Sequence, residues 1–126
     1  MILFAIWLAL TNSISSARPP VNTGDISERR EAARQILRRS DCARCHTPPG
    51  NTKALKIYNL DRSDWIESMT PRQIEQIKWR IEMSNQDIAE GIASRNHKPP
   101  LSAVEIAALQ AFVDRESAHR RAGRPE

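Results

Sequence analysis

The residues best suited to chemistry lie in one run of five, which contains both cysteines of the 126-residue chain. Two residues separate Cys42 from Cys45, and His46 follows directly. The spacing C-x-x-C-H is typical of covalent c-type haem attachment, in which both sulfurs bond to vinyl groups on one side of a porphyrin. The adjacent imidazole can then bind the iron from the same short segment. The motif therefore predicts one covalent haem, attached through Cys42 and Cys45, with His46 on the iron.

Three other kinds of site also use a C-x-x-C pair. A redox dithiol usually lies in a βαβ pattern, which this sequence does not show. A structural zinc ion needs four ligands, and no second paired motif accompanies the other histidines, His97 and His119. A disulfide between the two cysteines would close too small a loop to stabilise the fold much. These alternatives stay open, but haem attachment is the favoured interpretation.

Length and charge limit the classes of protein that remain. A chain of 126 residues is typical of one domain. The formal net charge of +4 favours acidic partners but is too small to indicate nucleic-acid binding. Two cysteines are too few for a disulfide-rich scaffold.

The start of the chain is typical of an export signal. Residues 2–10 read ILFAIWLAL, too short a run to cross a bilayer but similar to the apolar region of a signal peptide. We expect a signal peptide over residues 1–17 with cleavage after Ala17, a linker over residues 18–24, and a periplasmic location. Because no Lys or Arg precedes the apolar run, an uncleaved anchor, with membrane association, and a buried helix stay open.

In the rest of the chain, apolar residues recur at the spacing expected of amphipathic helices. The first helix is expected from Asp25, with a capping-box variant, to about Ser40. Thr70 should cap a second helix, and a separate short helix is expected over residues 85–94 with Ile88 and Ile92 inward. Leu55 to Leu60 is ambiguous between strand and loop. No long two-residue alternation occurs, so the sequence predicts an all-α fold.

The last helix has the clearest sequence signal, since Ser102 and Glu105 can form a capping box at its start. Beyond Arg115 the chain becomes polar, and we expect residues 117–126 to form a flexible basic tail.

The order of these parts resembles the bacterial class I cytochromes c, which carry a single haem. The resemblance rests on the C-x-x-C-H motif at residues 42–46 and the closing segment Pro99-Pro100-Leu101-Ser102, and it covers residues 25–116. It implies a small helical domain wrapped around one haem, electron transfer, and His46 as the proximal ligand. It also implies a second axial ligand, usually Met, in the loop before the last helix.

The position of that second ligand departs from the family pattern. Family members often have Met directly before the Pro-Pro pair, where this chain has Lys98. We favour His97 as the distal ligand, with Met83 as the next candidate. Met69 lies at a helix boundary, where a thioether is more often ordinary packing. Lys98 would have to lose its proton to bind iron, and an open sixth position is a further alternative.

The function that these features predict is electron carriage in the periplasm between redox partners, without catalysis. Six arginines crowd the first helix and the motif, and they could dock an acidic redox partner or form a solvated helix face. We expect Trp65 and Trp79 to wall the haem pocket, with ordinary packing in the core as the alternative. The alternatives are a five-coordinate haem sensor or enzyme module, and a haem subunit of a larger oxidoreductase.

Overall fold

The computed structural model describes residues 26–92 and 97–123. Within these ranges all regular secondary structure is helical, as expected, and turns or loops join the helices. Five helices follow one another: α1 (Ile26–Arg39), α2 (Cys42–His46), α3 (Thr52–Ile57), α4 (Pro71–Ala89) and α5 (Ala103–Ala122). The expected signal peptide, the linker and the Asp25 cap lie outside the described residues. None of the described helices is both long enough and apolar enough to cross a bilayer.

Helix α1 lies against α5 and leads into the cysteine motif. Ala33 and Leu37 of its apolar face are buried, while Ile36 packs at the edge of the same core. The turn at Ser40 follows at once, with its hydroxyl donating to the Leu37 carbonyl at 2.7 Å. This turn places the cysteines directly beside the core, on the short helix α2.

The segment Leu55 to Leu60, which was ambiguous in sequence, is helical only in its first half, since α3 ends at Ile57. Asn51 caps α3, since its side-chain oxygen accepts from the backbone N–H groups of Lys53 and Ala54. Beyond Tyr58 the chain forms turns until Thr70, and within them Leu60, Trp65 and Ile66 are buried.

Helix α4 begins as the sequence predicts, with a capping box between Thr70 and Gln73. Ile74, Ile77 and Ile81 are buried along one face. The separate helix over residues 85–94 is wrong, because α4 continues unbroken to Ala89. Ile92 is not inward: 69% of it is exposed. The turn at Gly91, which has a φ of 70°, ends the helix before that residue.

Helix α5 packs along α4 and α1, with Leu109, Phe112 and Val113 in the core. The capping box at Ser102 and Glu105 is present as predicted. The chain differs from the expected flexible tail, since α5 continues to Ala122 and buries Glu116 and Ser117. The physical reason is a set of hydrogen bonds from polar side chains, which a search for apolar periodicity does not detect.

Candidate haem-binding site

Both cysteines and His46 line one open cavity of about 330 Å³, between the α2–α3 segment and the start of α4. This volume lies within the range of about 300–1,000 Å³ usual for ligand pockets. Most of the exposed wall is apolar and includes Ile57, Tyr58 and Ile77. The structure therefore brings the three residues of the predicted haem site together on the wall of a cavity.

His46 is held in a defined orientation. Its Nδ1 lies 3.0 Å from the carbonyl oxygen of Tyr58, and because a carbonyl only accepts, Nδ1 carries the proton. The imidazole also stacks on the Tyr58 ring with a centroid separation of 3.5 Å. Burial lowers the pKa of His46, and it outweighs the carbonyl hydrogen bonds that would raise it. The imidazole is therefore neutral at pH 7, and its Nε2 has a free lone pair.

The orienting carbonyl comes from Tyr58, twelve residues beyond the histidine, and not from Pro48 or Pro49 in the loop that directly follows the motif. A second backbone link joins the same regions, since the N–H of Leu60 donates to the His46 carbonyl at 2.8 Å. The histidine is thus oriented by contact between two segments, rather than by the loop that follows the motif.

The two thiols differ in environment. Cys42 is partly buried, and desolvation raises the pKa of its thiol despite hydrogen bonds with Ser40 and Tyr58. Cys45 is exposed. Gly50 packs tightly behind the motif, since a Cβ there would lie 2.5 Å from the Cys45 carbonyl oxygen. The backbone that carries Cys45 is therefore closely packed while its thiol stays accessible.

Of the candidate sixth ligands, the structure brings only Met69 to this cavity. His97 is held elsewhere, with its Nδ1 paired to the Asp41 carboxylate. Met83 lies far along α4 with 41% of it exposed, and it does not line the cavity. Lys98 donates its Nζ to the Arg38 carbonyl at 2.7 Å. The structure therefore brings neither His97 nor Met83, the two preferred candidates, to this cavity, and the His97 ring is paired with Asp41 instead.

The tryptophans also differ from expectation. Trp79 is 56% exposed, and Trp65 is buried in the core without lining the cavity. Trp65 meets the site only indirectly, through an edge contact with the Tyr58 ring at 5.8 Å between centroids. The aromatic residue on the cavity wall is Tyr58, which the sequence analysis did not assign to the site.

The charges on the cavity wall have one sign. Lys53 and Arg80 line it, and no Asp or Glu does so among the described residues. By contrast, four of the α1 arginines form internal ion pairs: Arg30, Arg34, Arg38 and Arg39. More of the α1 arginines are therefore occupied by ion pairs within the protein than the sequence suggested. The positive charge on the cavity wall comes instead from Lys53 and Arg80.

The arrangement favours haem over a metal ion bound by side chains alone. Among residues 26–92 and 97–123, no three His, Cys, Asp or Glu side chains are grouped closely enough to hold a metal. A cavity with two thiols, one neutral imidazole, apolar walls and two cations instead matches an apolar ring that carries acidic groups.

Comparison with known proteins adds no relative: no family model, no curated protein and no solved structure matches this chain.

Proposed function

We propose that this protein is a c-type cytochrome that carries electrons in the periplasm. The observation that carries the proposal is the convergence of Cys42, Cys45 and a neutral, oriented His46 on one cavity. Bound haem would supply one-electron redox chemistry. The two thiols would hold it covalently, and Nε2 of His46 would bind its iron. The export signal expected over residues 1–17 supports this location, because c-type haem is attached outside the bacterial cytoplasm.

The residues around the motif each have a task in this proposal. The Tyr58 carbonyl fixes the tautomer of His46 and strengthens its basicity. Tyr58 and Ile77 are both buried and would pack against the ring, and burial of this kind is one of the means by which a protein tunes the reduction potential of haem. Lys53 and Arg80 would neutralise acidic substituents of the ring or attract an acidic redox partner.

The test is to express the full chain in a bacterial periplasm that has the haem-attachment machinery. We expect haem to stay with the polypeptide on a denaturing gel, and the purified protein to be reduced and reoxidised reversibly. Replacement of both thiols, Cys42→Ser with Cys45→Ser, should abolish covalent haem. His119→Ala, which changes a histidine away from the cavity, is the matched control and should retain it.

A wild-type chain that matures in this host without haem would overturn the proposal. The informative alternative result is a Cys42–Cys45 disulfide that exchanges with other thiols, which would instead indicate a dithiol oxidoreductase. Mass spectrometry of the intact protein distinguishes the results, since haem adds mass and a disulfide removes two hydrogens.

A second candidate is a five-coordinate haem sensor or enzyme module. One observation favours it: in the described part of the loop before α5, the two candidate ligands His97 and Lys98 are bound to other groups. An open iron position would bind carbon monoxide readily and give a high-spin spectrum, whereas a carrier with six ligands would resist it. Carbon monoxide titration of the reduced protein separates the two functions.

A further inference from the structure

Resting on the proposed haem site, we infer that Met69 is the sixth iron ligand and that Arg120 of α5 holds it in position. The first ground is location. Met69 lines the same cavity as His46 and both thiols, and only 3% of it is exposed. A thioether is a soft, neutral donor that needs no proton loss to bind haem iron. Apart from His46, the nitrogen and oxygen side chains on this wall are three amides, two cations and the Tyr58 phenol. Burial raises the pKa of Tyr58, which disfavours the phenolate that would bind iron, and the amides and cations are poorer ligands than a thioether.

The second ground is the way the backbone of Met69 is fixed. Arg120 donates to three carbonyl oxygens of the turn that ends at Met69. They belong to Ile66 at 2.7 Å, Glu67 at 3.0 Å and Met69 itself at 3.1 Å. Directly after Met69, the Thr70 cap fixes the start of α4. A single guanidinium thus anchors the turn from one side while a helix cap anchors it from the other.

Arg120 is itself immobilised. Its Nε donates to Glu116 at 3.0 Å, and the same carboxylate accepts from Arg30 of α1 at 2.6 Å. Glu116 is only 5% exposed, so this charge is kept in place by its two partners. The end of α5, which the sequence suggested would fray, is therefore the support for the turn that carries Met69.

Met69 has a structural role as well, because it directly precedes the Thr70 cap. An apolar residue there often packs on the fourth residue of the helix, here Ile74, and both residues are buried in the core. The substitution that separates the two roles is Met69→Leu, which keeps an apolar side chain of similar volume and removes the sulfur.

The experiment compares oxidised spectra and carbon monoxide binding of the haem-loaded full chain. The wild type should show the red charge-transfer band typical of Met ligation. Met69→Leu should lose this band and bind carbon monoxide, while the matched control Met83→Leu should keep the band. Met69→His should restore six-coordination with a lower reduction potential than the wild type.

The role of Arg120 is tested by Arg120→Lys, which keeps the charge but loses the forked donors. We expect a weaker charge-transfer band and faster carbon monoxide binding, at unchanged haem content. Arg121→Lys is the matched control, because Arg121 lies next along α5 and pairs with Glu75 instead. An unchanged band and unchanged carbon monoxide binding in Arg120→Lys would overturn its positioning role.

Failure of this inference differs from failure of the proposed function. Covalent haem with the band retained in Met69→Leu would overturn Met69 as the ligand and leave the cytochrome proposal standing. The same holds for a wild-type spectrum of two histidine ligands. Absence of covalent haem from every variant, the wild type included, would overturn both.

Discussion

At the scale of single residues, the environments of the two thiols lead to a first prediction. In the reduced, haem-free chain at pH 7, iodoacetamide should modify Cys45 before Cys42. The attacking species is the thiolate, and burial both shields Cys42 and raises its pKa, so that less of it is ionised. Mass spectrometry of peptides sampled over time gives the two rates.

In concentrated urea the two rates should converge, which is the control for intrinsic reactivity. Raising the pH should reduce the difference, because a larger fraction of Cys42 becomes thiolate. Preferential modification of Cys42 in the folded chain would contradict the burial of that residue.

A second residue-scale prediction concerns Gly50. The three atoms nearest to a Cβ at this position would all be backbone atoms, with the Cys45 carbonyl oxygen at 2.5 Å and the Thr47 carbonyl oxygen at 2.7 Å. Because neither atom can rotate away, we expect Gly50→Ala to lower the free energy of unfolding by about 2 kcal/mol. Urea denaturation followed by circular dichroism measures the change.

Gly123→Ala is the matched control, since its nearest neighbour is the His119 carbonyl oxygen at 3.6 Å and its φ is −84°. It should change stability by less than about 0.5 kcal/mol. Equal effects of the two substitutions would mean that the contact behind the motif does not constrain the fold.

How much of the site could be predicted from the sequence also depends on distance along the chain. Cys42, Cys45 and His46 are neighbours, so their spacing alone indicated the chemistry. Tyr58 and Met69 enter the cavity through turns that no local pattern specifies. His97 was the preferred distal ligand because of its place in the chain, and its pairing with Asp41, 56 residues away, could not be predicted from that place.

At the scale of elements, the capping boxes and the end of α1 near Ser40 were predictable, whereas the C-terminal ends of α4 and α5 were not. The boxes at Thr70 and Ser102 involve residues three apart, and both are present. The extent of α5 depends instead on Glu116 and Arg120, whose partners lie on α1 and in the turn before α4. Polar residues at the end of an apolar pattern usually indicate a solvent-exposed segment. In α5 these polar residues instead form the hydrogen bonds that hold the end of the helix against α1 and the turn before α4.

The prediction at this scale concerns the shared carboxylate. Burial would raise the pKa of Glu116, but hydrogen bonds from Arg30 and Arg120 outweigh it and lower the pKa. Glu116→Gln removes the charge between two guanidiniums that are themselves partly exposed. We expect it to lower the free energy of unfolding at pH 7 by about 2 kcal/mol.

The pH dependence follows from the direction of that shift. A carboxylate with a depressed folded-state pKa stabilises the fold above its ordinary pKa, and this contribution is lost as the pH falls through the depressed value. The difference between wild type and Glu116→Gln should therefore shrink in acid. Asp114→Asn, which breaks an exposed pair with Lys78, is the control and should have little effect at any pH. A difference that persists undiminished in acid would assign the loss to packing rather than charge.

At the scale of the whole molecule, the distribution of paired and unpaired charge decides where a partner would be attracted. The net charge of +4 belongs to a chain in which four arginines of α1 are paired with carboxylates, one on α1 itself and the others elsewhere in the fold. At the cavity mouth, Lys53 and Arg80 form no ion pair with a carboxylate in the described part of the chain. The positive field should therefore be concentrated at the cavity that Lys53 and Arg80 line, and not along α1 as the sequence suggested.

The last prediction tests that field with a small anionic oxidant in place of an unknown partner. Oxidation of the reduced, haem-loaded protein by ferricyanide should be slowed in the double variant Lys53→Gln with Arg80→Gln, by about threefold at low ionic strength. At about 1 M salt, where the screening length falls to about 3 Å, the difference should disappear.

Arg62→Gln combined with Arg121→Gln is the control, because it also removes two positive charges, but from residues that do not line the cavity. It should leave the rate nearly unchanged, which separates local attraction from the effect of net charge. Stopped-flow absorbance at several salt concentrations measures how the oxidation rate of each double variant depends on ionic strength. Equal slowing in the two double variants would mean that ferricyanide responds to the total charge of the protein, and the cavity mouth would then have no special part in attracting an acidic partner.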